Sequence, residues 1–328
     1  MLLQITHETR YDYVPPVELA QHICHLTPIC NANQTLYSHS ATISPEPDEQ
    51  TQSIDIFGNA RQFFSLQATH SQLQVTANSF IATRARAMPT STIAWEQVRE
   101  RFRYVAGGTY DPACEFVYAS PFVPRHGDFT QYARPSFAPG QSLLQSARDL
   151  MRRIHTEFSY ESQSTEVSTP ALTALAQRKG VCQDFAHIMI ACLRALGLSA
   201  RYVSGYVLTQ PPPGVARLRG CDASHAWASV YLPDFPEGDH WCDFDPTNNR
   251  DGWGSPGEDY VTLATGRDYG DVAPLRGVIH GGTDHILRVA VTVEPVDDMA
   301  LPMGQFQSQS QGSPLFQSQF HWQSQSQN

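Results

Sequence analysis

The amino-acid sequence predicts an α+β fold: an N-terminal β-sandwich, then a core of helices packed on an antiparallel sheet. Three observations carry this. Period-two alternation runs through the first 84 residues, an amphipathic helical pattern follows at 141–158, and within the core that this helix opens, strand-like runs come after the helices. Helices before strands argue against repeated βαβ units. At roughly 100–200 residues per domain, 328 residues allow two domains.

Residues 1–84 read as the β-sandwich. Ile5, His7, Thr9, Tyr11 and Tyr13 alternate with their neighbours. Thr51–Ile56 and Ala60–Leu66 are strand-like and flank Phe57-Gly58-Asn59, a hairpin signal. Leu73–Ile81 alternates again. Residues 85–140 are rich in Pro, Gly, Tyr and Phe with little periodicity, apart from a short helix near Ala94–Phe102. They read as a linker wrapped on the next domain.

Residues 141–300 read as the core. Leu143, Leu144, Ala147, Leu150, Met151, Ile154 and Phe158 share one helical face over 141–158. Thr169-Pro170 opens a short helix with Thr as cap, and Gly180 interrupts it. A further helix starts at Cys182 and stops at Gly197, with Phe185, Ala186, Met189, Ile190, Leu193 and Leu196 as its buried stripe. Strands follow at 200–208, 225–232 and 240–244, and a last strand at 286–293 ends the folded part. Residues 301–328 are a Gln/Ser-rich tail with scattered aromatics, a composition that cannot bury a core and predicts disorder.

Composition narrows the function. A net charge of −10 disfavours nucleic acid and anionic membranes as partners. No apolar run approaches the roughly 20 residues of a membrane span, and the N-terminus lacks a signal-peptide pattern. The expectation is a cytoplasmic protein without membrane attachment. Seven scattered cysteines with no CxxC pair predict reduced thiols, not a disulfide framework or a metal site. No cofactor motif is present. Lys179 is the only lysine in the chain.

The chemistry concentrates on Cys182, His225 and Asp245, separated by 43 and 20 residues. A thiol at a helix N-terminus meets the positive end of the helix dipole and unpaired N–H groups, which favour the thiolate and can bind an oxyanion. An imidazole in reach activates the sulfur and protonates a leaving amine. A carboxylate orients that imidazole. Cys182 begins the predicted helix, His225 begins a strand, and Asp245 ends the next one, where antiparallel pairing brings it beside His225. Cys192 and Cys242 read as core, His187 as a surface or packing histidine, and Asp243 as a solvent-facing strand residue. Cys221, in a loop near His225, is a weaker alternative thiol. Gln183, Tyr206, Asp222, Trp227, Arg267 and Asp268 are candidate substrate-binding residues of the site wall. Arg267 and Asp268 fit a structural ion pair equally well.

Residues 168–247 resemble the transglutaminase-like core domain. The stretches that carry this are Arg178-Lys179-Gly180-Val181-Cys182-Gln183-Asp184-Phe185-Ala186, Leu193 through Tyr206, Ser224-His225-Ala226-Trp227 and Phe244-Asp245-Pro246-Thr247. Residues 5–27 resemble the N-terminal β domain of bacterial transglutaminase-like proteins, and 266–277 resemble a segment of the same group. The resemblance implies a papain-like fold with Cys182 as nucleophile, His225 as general base and acid, and Asp245 as the orienting residue. Three functions fit: a cysteine peptidase or amidase acting on a peptide, protein or amide, a transglutaminase-type acyl transfer to an amine, and a non-catalytic binding module. The resemblance to bacterial members favours the first. An intact triad counts against the last.

Overall fold

The computed structural model describes residues 1–161, 169–209 and 224–296. The tail at 301–328 and the positions of Cys221 and Asp222 lie outside them.

Five strands open the chain: β1 (Leu2–Cys24), β2 (Gln34–Ser44), β3 (Glu49–Ile54), β4 (Ala60–Leu66) and β5 (His70–Thr83). They form one sheet in the order β2-β5-β1-β4-β3. The first half of β1 pairs with β5 and the second half with β4, with a break in register between Asp12 and Val17. Alternation decides what is inside. In β5, Leu73, Val75 and Ala77 are buried, and they cluster with Val17 and Ala20 of β1 and Phe64 of β4. Gly58 makes the β3–β4 turn at φ +86°, a conformation that favours glycine. Asp55 holds that turn by accepting hydrogen bonds from the Phe57 and Asn59 backbone, each at 2.9 Å.

The stretch expected as a wrapping linker contains α1 (Trp95–Arg101) and α2 (Gly127–Ala133). Phe129, Tyr132, Ala133 and Phe137 are buried in the main core, so this stretch supplies core side chains as well as covering them. Next come α3 (Leu143–Glu157), β6 (Ser159–Tyr160), α4 (Ala171–Gln177), β7 (Lys179–Gly180) and α5 (Cys182–Ala195). α3 buries the predicted face, and the Ser142 hydroxyl caps it by accepting from the Gln145 N–H. α4 starts at Ala171 and ends at Arg178, whose φ of +56° turns the chain out of the helix. The break therefore falls two residues before the Gly180 that the sequence marked. α5 is buried along almost its whole length. Its faces meet α2 and α4 on one side and the second sheet on the other, so the predicted stripe is part of a helix buried all round.

The second sheet is antiparallel, with order β11-β10-β9-β8-β12. Its strands are β8 (Ala200–Val207), β9 (Ser224–Tyr231), β10 (Trp241–Asp245), β11 (Arg250–Trp253) and β12 (Tyr260–Gly266). After a short α6 (Tyr269–Val272) the chain returns to the first sheet. β13 (Leu275–Gly281) and β14 (Asp284–Pro295) pair with the second and first halves of β1. The last predicted strand thus exists but joins the N-terminal sheet rather than the core. A 23-residue β1 offers backbone groups on both edges, and β13 and β14 satisfy the second edge.

Residues Met1–Val296 form one unit, and two side-chain amides help join its sheets. β12 is an edge strand, and Gln34 and Asn59 act on its free edge like a neighbouring strand. The Thr262 N–H donates to Gln34 Oε1 at 2.8 Å, and Gln34 Nε2 donates to the Thr262 carbonyl at 2.7 Å. Asn59 makes the same exchange with Thr265, both bonds being 2.8 Å. Asn59→Ala leaves a buried N–H and C=O without partners. It is expected to lower stability by about 2–4 kcal/mol, read as a lower urea midpoint with an unchanged slope. A loss below about 0.5 kcal/mol, a typical surface effect, would contradict the role given to this amide.

Candidate active site

The three predicted residues are brought together. Cys182 is the first residue of α5 and is partly exposed. The turn ahead of it is built tightly: the Asp184 carboxylate accepts the Val181 N–H at 2.9 Å. A Cβ on Gly180 would lie 2.6 Å from that carboxylate, so glycine is required for the cap to form. The first-turn N–H groups of α5 have no preceding helical turn to accept them.

His225 sits near the start of β9 and is 7% exposed. Its Nε2 and Asp245 Oδ2 are 2.8 Å apart. Asn248 Nδ2 also lies 3.3 Å from Nε2, which leaves Nδ1 for the Cys182 thiol that acts on the ring. Asp245 is fully buried at the end of β10. Its Oδ2 also accepts from the Tyr260 hydroxyl at 2.7 Å and Asn248 Nδ2 at 2.7 Å, and its Oδ1 from the Thr247 N–H at 2.8 Å.

These contacts set the charges. Burial alone would lower the pKa of His225, but the hydrogen bonds to Asp245 and Cys182 outweigh it and push it up to about 10. Burial alone would raise Asp245, but hydrogen bonds from His225, Tyr260 and Asn248 hold its carboxyl below the usual range. Burial and the neighbouring Asp245 raise the Tyr260 phenol, so it stays protonated and donates. The pair is an imidazolium held by a carboxylate.

Trp227 lies beside the dyad. It is fully buried, its ring 6.1 Å from His225, and its Nε1 donates to Asp243 at 2.8 Å. Gly205 makes room for it, because a Cβ there would come within 2.5 Å of the indole. Asp243 is therefore not the solvent-facing residue its alternation implied. It is 3% exposed, and burial raises its pKa. The strand is covered on both faces, which alternation alone does not reveal.

The other wall candidates divide. Gln183 follows Cys182 in the first turn of α5 and is half-buried. Tyr206 is buried, with its hydroxyl 2.8 Å from His7 Nδ1 of β1, so it ties the two sheets together. Arg267 pairs with Asp271 at 2.9 Å, not with Asp268. Asp268 is buried and accepts the Phe122 and Gly270 N–H groups, each at 2.9 Å. Both are engaged in local structure. His187 is a packing histidine: buried, pushed down to about 3 by that burial, and accepting the Tyr269 N–H at 3.2 Å. Cys192 and Cys242 are fully buried.

Three residues of the site escaped the sequence reading. Asn248 and Tyr260 complete the shell of Asp245. Asn248 had a local signal, an Asn three positions after the carboxylate in a turn. Tyr260 had none, since it arrives from β12. Tyr160 of β6 is half-exposed and pairs with Gly180, two residues before Cys182. Burial and then the nearby Cys182, Asp184 and Asp245 raise its phenol. Among the described residues, no group of three or more His, Cys, Asp or Glu side chains is placed to hold a metal. None of their helices is long and apolar enough to cross a membrane.

Residues 3–82 match the bacterial transglutaminase-like N-terminal region, and residues 130–246 match the transglutaminase-like superfamily core. An uncharacterized protein of Mycobacterium tuberculosis is 39% identical over 304 residues, covering 91% of this chain and 94% of its own length. The chain belongs to the transglutaminase-like superfamily. A Mycobacterium leprae protein is 29% identical over 293 residues, covering 88% of this chain and 98% of its own. The fold of this transglutaminase-like protein is also that of a crystal structure described as a "Putative Cysteine Protease" from Cytophaga hutchinsonii. That structure superposes with a TM-score of 0.66 at 21% identity, covering 90% of this chain and 92% of the other.

Proposed function

We propose that this protein is a cysteine hydrolase that cleaves amide bonds through an acyl-thioester on Cys182. The observation that carries this reading is the buried His225–Asp245 pair, 2.8 Å apart, beside a thiol on the first turn of α5 that acts on the imidazole. Cys182 Sγ attacks the amide carbonyl, and the oxyanion forms against the N–H groups of that turn. His225, holding the proton taken from the thiol, passes it to the leaving nitrogen as the C–N bond breaks. The amine departs and the thioester remains. Water then adds to the thioester carbon while His225 takes its proton. The C–S bond breaks, the carboxylic acid leaves, and the proton returns to the thiolate–imidazole pair. Asp245 stays ionised throughout and keeps Nε2–H directed to itself, so that Nδ1 faces the sulfur.

The test is a library of N-acylated peptides and simple amides, analysed by mass spectrometry with and without an added primary amine. The expected product is the free acid, with the amine changing its yield little. Amine conjugates as the main product would assign acyl transfer in place of hydrolysis. No turnover across the library, with Cys182 also unreactive, would leave a binding module.

A further inference from the structure

A cavity of about 610 Å³ lies away from Cys182, with walls that include Phe57 from the β3–β4 turn, Arg201 from β8, and Asn31, Arg86, Asp239 and Trp253. Both arginines sit over indoles: the Arg201 guanidinium carbon is 4.0 Å from the Trp241 ring centre, and that of Arg86 is 3.7 Å from Trp253. Stacking of this kind leaves the guanidinium edge for hydrogen bonding. The two differ in what that edge meets. Arg86 Nη2 bonds the Asp239 carboxylate and the Trp253 carbonyl. Among the described residues the Arg201 side chain has no hydrogen-bond partner at its buried Nε. Asp243 and Asp239 reach it only through their fields, and Asp243 has one oxygen committed to Trp227 at 2.8 Å.

An Nε–H buried without an acceptor is costly, and the planar fork of the partly exposed Arg201 side chain fits a carboxylate in a two-point contact. The same cavity carries the Asp239 and Glu237 carboxylates, which disfavour a dianion and can hold an ammonium. Phe57 and Trp253 add apolar surface. We propose that this cavity binds a free α-amino acid or the end of a short peptide, with its carboxylate on Arg201 and its ammonium towards Asp239 and Glu237. The site is separate from the proposed thioester chemistry and does not depend on it.

Cys30 is an exposed thiol on the cavity wall and serves as a reporter. The full-length protein is alkylated with limiting iodoacetamide in the presence of L-phenylalanine, L-phenylalaninamide or inorganic phosphate, and the Cys30 and Cys182 peptides are quantified together. The expected result is saturable protection of Cys30 by L-phenylalanine. Protection is expected to be at least about tenfold weaker with the amide and in Arg201→Gln. Equal protection by the amide, no saturable protection, or protection of Cys182 alone would each overturn the proposal. Phosphate protecting as well as the amino acid would also overturn it, leaving a general anion site. The amide comparison uses the unaltered protein, so the test stands even if Arg201→Gln fails to fold.

Discussion

Cys182→Ala and His225→Ala are each expected to lower amide turnover by at least about 10⁴-fold, while Cys192→Ser keeps it. The two losses should not add, because nucleophile and base act as one unit. Cys192 is fully buried on α5, far enough into the helix to have no part in the first turn, and burial raises its pKa. The check is kcat/KM on the best amide found, with circular dichroism confirming that each variant is folded. Retained turnover in Cys182→Ala would move the nucleophile elsewhere.

Asp245→Ala is the second large effect, and it has a pH signature. The raised pKa of His225 depends on hydrogen bonds to Asp245 and Cys182, against an ordinary value of 6.5. The proposed turnover needs a protonated imidazole for the leaving amine, so the alkaline limb of kcat/KM should sit near pH 10 in the unaltered protein. Removing the carboxylate should bring that limb down towards the ordinary imidazole range and cost about 10²–10⁴-fold in kcat. A rate loss with an unmoved limb would mean that Asp245 acts only as a structural support. Stability follows the same linkage. Because the folded pKa of His225 is raised, its contribution is complete below about pH 6.5 and lost as the pH rises towards 10. Because that of Asp245 is depressed, its contribution is present above its ordinary value of 3.8 and lost as pH falls through the depressed one. The variant should therefore lose most stability, relative to the unaltered protein, between those two ordinary values.

What could be read in advance was what lies close in sequence. α3 and α5 show their apolar positions at helical spacing, and β4 occupies Ala60–Leu66 as its strand-like residues and the turn before it predict. Cys182, His225 and Asp245 are each marked by their own neighbours, so the site was legible as three local signals. β12 was not. Tyr260–Gly266 is buried on every residue, so it has no alternation to detect, and its edge is held by Gln34 at the start of β2 and Asn59 of the β3–β4 turn. β13 was not anticipated, and the strand at 286–293, now β14, was assigned to the core for a related reason: which sheet a strand joins depends on the unmet edge of β1, not on the strand's own pattern. Asp243 was misread because alternation reports solvent only where one face is wet. Tyr260 could not be linked to Asp245 without the pairing that sets β12 in place.

In the proposed mechanism His225 activates the Cys182 sulfur. The most direct measurement is the rate of iodoacetamide labelling at pH 6, where an ordinary thiol is almost wholly protonated. Cys182 and Cys30, the exposed reference thiol, are followed in the same sample. Cys182 is expected to react far faster than Cys30, and His225→Ala to remove the difference. If Cys182 reacts no faster than Cys30, or if its rate is unchanged in His225→Ala, the pair is not a catalytic one.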